Sequence, residues 1–213
     1  MIFFGQFVNL QIEASRNVMK LKAISEIRRK ELRVAAFLVL QEEGLTGTTL
    51  EKVAAKAGAS KGIVLHYFKN KQEVFEHAMR EANAALRDNL ATRLKQSLTP
   101  TARLDAIIEV NFDPQFFRQS VCQGWMALCA AVPYDPVLWR IQKAIHARMR
   151  SNLIFCLKGL VQPNQVNGAA LAIAALIDGL WIRHAMQTDT MSREDAVLQV
   201  KTLVGQFIQQ RVG

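Results

Sequence analysis

The sequence predicts an all-α protein with about nine helices, on the strength of three observations. Half of the 213 residues are hydrophobic, so a sizeable core is available. Proline and glycine are scarce, at 5 and 11 residues, and alternating apolar and polar runs typical of strands are almost absent. Apolar residues instead recur at helical spacing between short breaks that contain Pro, Gly or Asp.

Residues 1–22 are predicted to be a poorly ordered N-terminal extension. The opening MIFFGQFVNL is apolar, but it has neither the basic start nor the small-residue cleavage site of a signal peptide. A translation start at Met19 is the simpler explanation, with residues 1–18 as an upstream extension or arm.

The first predicted helix runs from about residue 24 to residue 43, and Gly44 is expected to end it. Its expected apolar stripe consists of Ile27, Val34, Ala35 and Leu38.

Two short helices joined by a tight turn follow. In TTLE, residues 48–51, Thr48 is expected to cap a helix while Glu51 reaches back to its amide. Gly58 ends that helix, and Ser60 caps the next one. This is the helix-turn-helix arrangement, so residues 23–71 are predicted to bind DNA and residues 72–213 to form a separate helical body.

Most of the excess positive charge lies in the N-terminal third. Residues 15–71 contain twelve Lys and Arg residues against five Glu, a net charge of +7 out of +9 for the chain. A basic module on a near-neutral body favours a polyanionic partner. Charge alone would favour a merely soluble basic surface.

A helix-turn-helix places the start of its second helix in the major groove of DNA. Gly62 leaves room there for close approach, and Phe68 is expected to pack internally. Packing between the modules is also the alternative for His66 and Tyr67. The predicted DNA-contacting residues are Arg28, Thr49, Ser60, Lys61, Gly62, His66, Tyr67 and Lys71.

Residues 70–98 contain neither Pro nor Gly and predict one helix about 42 Å long, which would connect the two modules rigidly. The remaining helices are expected at about 102–111, 115–131, 136–160, 165–187 and 193–211.

The segment TTLEKVAAKAGASKGIVLHYFKNKQEVF resembles the N-terminal module of the TetR family of bacterial repressors, over about residues 24–77. The resemblance implies a nine-helix homodimer with a basic helix-turn-helix domain and a variable C-terminal effector pocket. Further segments resemble the BetI-type branch, which represses the choline-to-glycine-betaine pathway: IRRKEL (27–32), NFD (111–113), the Trp125 segment, RMRSNL (148–153) and AALIDGLWIR (174–183).

The body contains all three tryptophans, with carboxylates nearby in sequence. Aromatic rings and a carboxylate are what a quaternary ammonium ligand requires, because it has no N–H to donate. Leu128 and Cys129 stand where the choline-responsive branch carries more aromatics, so a larger cation or an apolar effector is the alternative. The predicted ligand residues are Phe112, Asp113, Trp125, Tyr134, Trp139, Asp178 and Trp181, with an ordinary aromatic core as the other interpretation.

The last two helices have continuous apolar faces, and the resemblance implies that they pair with their copies in a four-helix interface. Burial within one copy is the alternative. The expected interface residues are Ile173, Ile177, Val200, Val204 and Phe207.

The sequence has no spacing typical of a catalytic triad, a zinc site or a phosphate-binding loop, so we expect neither an enzyme nor a cofactor or metal. Cys122, Cys129 and Cys156 are interpreted as buried apolar residues of a cytoplasmic protein. Charged residues interrupt every long apolar run, so no membrane span is expected.

These features predict a homodimeric transcriptional repressor that binds a palindromic operator and is released by a small effector, with choline-like cations as the candidates. The alternatives are a regulator of another pathway or of efflux with an apolar effector, and a small-molecule-binding protein without a specific DNA target.

Overall fold

The computed structural model describes the backbone of residues 2–187 and 191–209, and the side chains from residue 23 onward within those ranges. Over these residues the chain forms nine α-helices and no strand, which confirms the predicted all-α fold. A short 3-10 turn, Val132–Tyr134, links the sixth and seventh helices. The helices are α1 (Ile2–Gly47), α2 (Leu50–Lys56), α3 (Lys61–Tyr67), α4 (Lys71–Gln96), α5 (Pro100–Asn111), α6 (Gln119–Ala131), α7 (Pro136–Leu157), α8 (Val166–Met186) and α9 (Arg193–Gln209).

Helix α1 differs from the prediction at both ends. Its backbone is helical from Ile2, because no proline interrupts the run, and the side chains of residues 1–22 lie outside the described residues. Gly44 has the left-handed φ of 67° that marks a helix end, yet one further turn follows it to Gly47. The predicted apolar stripe was wrong for three of its four residues: Ile27, Val34 and Leu38 are 61%, 41% and 36% exposed.

The turn from α1 to α2 places the helix cap one residue later than predicted. Thr48 is buried, and its hydroxyl donates to the Gly44 carbonyl at 2.7 Å, so it cannot cap α2. Thr49 is the cap, and its Oγ1 accepts from the Lys52 amide at 3.2 Å. Ser60 caps α3 as predicted, accepting from the Ile63 amide at 3.3 Å.

A compact core holds α2 and α3 against α1 and the start of α4. Phe68 is 1% exposed, which confirms its predicted packing role, and Val64 is fully buried beside it. Ile63, the neighbour of Val64 in α3, is exposed. Residues contributed by the flanking helices are Leu32, Ala36, Val39, Leu40, Val74 and Phe75.

A second core joins the body helices α5, α8 and α9, and it corrects the residues expected at a dimer interface. Ile173, Ile177, Val200 and Val204 are all buried inside the single chain, so they are not available to a second copy. The apolar stripe that suggested an interface is the stripe that packs α8 and α9 onto the body. Phe207 packs at the edge of the same core.

Within the described residues, α8 is the one helix long and apolar enough to cross a membrane, contrary to the expectation from its charged residues. Its inward face, including Ala169, Ile173 and Ile177, is buried in the body core. A core helix of a folded domain has the same length and composition.

The three cysteines are free thiols. Cys122 and Cys156 are buried, and Cys129 is partly buried on α6.

Candidate DNA-binding surface and effector cavity

Helix α3 presents an exposed polar face. Val64 anchors the helix from below, whereas Ser60, Lys61, Gly62 and His66 are exposed. A Cβ added to Gly62 would meet only the Ser60 hydroxyl, at 3.7 Å, so the surface above this glycine is open. The first turn of α3 is therefore free to approach a partner closely.

Carboxylates pair with the lysines around this face. Lys61 Nζ lies 2.6 Å from Glu51 Oε1 of α2, and this hydrogen bond is the main reason that the pKa of Glu51 is lowered. Lys52 pairs with Glu43 at 2.8 Å, and Lys56 pairs with Glu42. All of these pairs are solvent-exposed, so each is easily exchanged for another anion.

Two predicted DNA contacts hold the module together. Arg28 donates to the carbonyls of Ala57 and Gly58, both at 3.4 Å, and so caps the end of α2. Lys71 Nζ donates to the Leu45 carbonyl at 3.0 Å, which ties the start of α4 to the end of α1. The structure therefore gives both cations an internal partner.

Tyr67 lies at the junction of α3 with α1. The Arg29 guanidinium stands 5.7 Å from the centre of the Tyr67 ring and 5.9 Å from that of Phe68. His66 packs edge-on against Tyr67, with 5.1 Å between ring centres. Tyr67 is half-buried by these contacts, and His66 is exposed.

A cavity of about 670 Å³ lies between the two parts of the molecule. Its walls come from α1, α4, α6, α7 and α8, together with the segment between α5 and α6, and the side chains lining it are mostly apolar. This volume is within the range that holds small-molecule ligands.

Three of the predicted ligand residues meet at this cavity: Trp125 of α6, and Asp178 and Trp181 of α8. Trp181 is held in place because its Nε1 donates to the Asn111 carbonyl at 2.9 Å. Two indole rings and one carboxylate therefore line the same cavity, a combination suited to an organic cation.

Asp178 is the carboxylate of this group, and partial burial raises its pKa. His146 Nε2 lies 3.6 Å from Asp178 Oδ2 and opposes this rise. Gln142 Nε2 lies 2.6 Å from His146 Nε2. The wall thus offers a negative charge.

The other four predicted ligand residues do not line the cavity. Phe112 is fully buried in the body core, and Asp113 forms an ion pair with Arg93 at 2.6 Å. Tyr134 is 89% exposed, and Trp139 is half exposed, with Lys143 Nζ 4.8 Å from its ring centre.

Sequence reasoning missed the walls from α1 and α4. Phe37, Leu38 and Gln41 of α1 line the cavity, as does Glu81 of α4. Glu81 Oε2 accepts from Arg33 Nε at 2.9 Å. Leu38 belongs to the apolar stripe predicted for α1, but nothing in that stripe indicated a cavity.

Basic residues also border the cavity, but two of them direct their charge elsewhere. Lys143 points to the Trp139 ring, which does not line the cavity, and Arg150 donates to Asn167 at 3.2 Å. Glu81 and Asp178 are the carboxylates among the lining residues.

Comparisons with known proteins agree with this architecture. The family described as bacterial regulatory proteins, tetR family, matches residues 32–78, and the family described as BetI-type transcriptional repressor, C-terminal, matches residues 100–209. The chain is 34% identical over 188 residues to the HTH-type transcriptional regulator BetI of Klebsiella pneumoniae (strain 342), covering 87% of this chain and 94% of that relative. It is 32% identical over 191 residues to BetI of Escherichia coli (strain K12), covering 89% and 96%.

Solved structures share the fold at lower identity. A transcriptional regulator from Pseudomonas aeruginosa PAO1 superposes with a TM-score of 0.76 at 22% identity, over 87% of this chain and 92% of that one. A transcriptional regulator from Saccharomonospora viridis, in complex with choline, has a TM-score of 0.76 at 17% identity, over 85% and 96%.

These relatives are regulators and not enzymes, which confirms the expectation that this protein is not an enzyme. The helix-turn-helix module and the helical body enclosing a cavity are thus parts of one known architecture: the chain belongs to the TetR family of bacterial transcriptional regulators and is a repressor of the BetI type.

Proposed function

We propose that the protein is a cytoplasmic, homodimeric repressor that binds a palindromic operator and is released by a quaternary ammonium effector. The observation that carries the effector proposal is the meeting of Trp125, Trp181 and Asp178 at one cavity. The choline bound to the Saccharomonospora viridis regulator supports the same class of ligand for a protein of this fold.

The exposed face of α3 is the proposed reading surface. Lys61 exchanges Glu51 for a DNA phosphate, and Gly62 admits the backbone of α3 to the major groove. Arg28 and Lys71 act chiefly by fixing the module, through their bonds to backbone carbonyls. Ser60, Thr49, His66 and Tyr67 remain the proposed neighbouring contacts.

The proposed dimer uses the outward faces of α8 and α9. Their inward stripes are occupied by the body core, whereas several large apolar side chains remain exposed on the other side. A two-fold pairing would bury these side chains and set two α3 helices one DNA turn apart, about 34 to 36 Å. The exposed residues are Ile182, Met186 and Leu198.

The effector proposal follows from the chemistry of the cavity wall. A quaternary ammonium group is held by the faces of Trp125 and Trp181 and by the charge of Asp178. An effector stabilises whichever arrangement of the helices it binds better, and DNA is released if that arrangement separates the two α3 helices.

DNA binding is tested first with duplexes enriched from a random library by the wild-type protein. Lys61→Ala should weaken binding by roughly ten- to hundredfold without changing the dimer, because a contact to DNA is lost. Lys158→Ala removes the same charge from the body and should bind as the wild type does. Failure to enrich any duplex, together with a flat salt dependence of binding, would favour a small-molecule-binding protein without a DNA target.

The effector class is tested by titrating choline and its uncharged isostere 3,3-dimethylbutan-1-ol, with tryptophan fluorescence as the signal. Choline should bind more tightly, and Asp178→Asn should remove most of that preference because it removes the charge. Equal affinity for the two ligands would exclude a cationic effector. The large, mostly apolar cavity would then favour the second candidate, a regulator with a bulky apolar effector.

A further inference from the structure

We propose that Glu81 couples the cavity to the DNA-binding module, because a cation bound in the cavity competes with Arg33 for its carboxylate. This inference rests on the proposed cationic effector. It states that the Arg33–Glu81 ion pair, between α1 and α4, transmits the effect of effector binding to the DNA-binding module.

The ion pair lies directly behind the cavity wall. Glu81 lines the cavity, whereas its partner Arg33 does not. Arg33 Nε donates to Glu81 Oε2 at 2.9 Å, and the two side chains are only 18% and 21% exposed. A partly buried pair is weakly screened by salt, so a second cation nearby perturbs it strongly.

Helix α1 reaches both the cavity and the DNA-binding module. One turn beyond Arg33, Phe37 and Leu38 form part of the cavity wall. One turn before it, Arg28 holds the carbonyl end of α2. A displacement of α1 at Arg33 is therefore transmitted to α2, and through their shared core to α3.

Two carboxylates in the cavity can attract a cation: Asp178 on α8 and Glu81 on α4. Four basic residues also line it: Lys143 lies over the Trp139 ring, Arg150 donates to Asn167, His146 stands 3.6 Å from Asp178, and Arg118 borders the cavity. A cation attracted by these carboxylates weakens the hold of Arg33 on Glu81. The charge of the effector, and not only its shape, then weakens the ion pair that holds α1 against α4.

The test uses full-length protein, with hydrogen exchange of the α1 amides at residues 33–41 and affinity for the enriched duplex as separate readouts. In the wild type, saturating choline should lower amide protection in this segment and reduce DNA affinity by about tenfold or more. 3,3-Dimethylbutan-1-ol, at a concentration that fills the same fraction of sites, should change neither quantity.

Glu81→Gln is the decisive variant. Glutamine can still accept the Arg33 hydrogen bond, so the variant should fold and bind DNA, but it carries no charge for the cation to attract. Choline should bind more weakly than it does to the wild type, and at saturating choline its effect on DNA affinity should fall to about twofold or less. Glu76→Gln makes the same change on α4 away from the cavity lining and should respond as the wild type does.

Arg33→Met provides the opposite case. Loss of the pair should lower α1 protection without any ligand, and choline should add little further change. Retained protection in Arg33→Met, or a wild-type response in Glu81→Gln, would overturn the inference.

The outcomes separate this inference from the proposed function. If the wild type binds no choline, the proposed effector class fails, and the competition for Glu81 fails with it. If choline loosens α1 through Glu81 but no duplex is enriched, the inference holds and the proposed operator binding fails.

Discussion

The DNA-binding module and the body solve opposite packing problems. In the module, short helices close around Val64 and Phe68, which are almost completely buried, and polar side chains cap the helix ends. The body instead surrounds a cavity of about 670 Å³ and places a carboxylate with a raised pKa in its wall. The module is built to keep one shape, whereas the body gives up packing density to keep a site open.

The contrast in packing is tested most directly by truncating one large aromatic side chain in each part. Phe68→Ala should cost about 3–5 kcal/mol, because its ring is enclosed on all sides. Trp125→Ala should cost less, on the order of 2 kcal/mol, because one side of this ring already faces the cavity. Urea denaturation at a fixed protein concentration measures both values, and equal losses would contradict the contrast.

Substitution of Gly124 tests the packing of α6 against α1, where the two parts meet. A Cβ at this position of α6 would lie 2.8 Å from Gln41 Cγ and 3.4 Å from the Gln41 amide nitrogen of α1. Gly124→Ala should therefore cost about 1–3 kcal/mol through overpacking.

Adding Gln41→Ala should restore most of this loss, because it removes the atom in closest contact. Gly168→Ala on α8 is the control, since a Cβ there meets nothing within 4 Å. Gly168→Ala should be neutral or stabilising, because Ala favours the helix more than Gly does. A loss in this control equal to that in Gly124→Ala would show that the contact with Gln41 is not the cause.

The helix caps of the two parts should contribute equally to stability but unequally to DNA binding. Ser60 caps α3 and Thr99 caps α5, each through one side-chain oxygen, so alanine at either should cost about 1 kcal/mol. Only Ser60→Ala is expected to weaken binding to the enriched duplex as well, because α3 forms the proposed reading surface. A matched loss of DNA affinity in Thr99→Ala would remove that distinction.

Replacing Asp178 should have the smallest effect on stability, and that effect should depend on pH. Its pKa is raised in the folded protein, so the folded state binds protons more tightly and stability falls as pH rises through the range above 3.8. Asp178→Asn should thus raise both the melting temperature and the free energy of unfolding at pH 7. The gain in free energy should be less than about 1 kcal/mol, because the side chain is 54% exposed.

This advantage should shrink as the pH falls towards 3.8, where the carboxyl becomes protonated in both states. Thermal unfolding at several pH values measures the trend. A gain that does not change with pH would mean that the charge of Asp178 is not its cause.

Local chemistry made the module largely predictable from sequence. The Ser60 cap and the packing of Phe68 depend on residues within a few positions in the chain, and both were predicted correctly. The cap of α2 was misplaced by one residue because Thr48 and Thr49 are equally able to cap, and the burial of Thr48 decides between them.

The cavity depends on contacts between distant parts of the chain, and periodicity does not reveal them. The pattern in α8 and α9 showed that Ile173 and Val200 lie on apolar faces, but not whether those faces meet their own chain or a second copy. Similarly, nothing adjacent to Leu38 or Glu81 in sequence indicates that α7 and α8 stand across a cavity from them.

The three free cysteines have a practical consequence for chemical labelling. Burial raises the pKa of Cys122 and Cys129 to about 12 and also raises that of Cys156. Since maleimides and haloacetamides react with thiolates, these native thiols should react slowly near neutral pH. A cysteine introduced on the exposed face of α3 could then carry a fluorophore selectively, without first removing the natural ones.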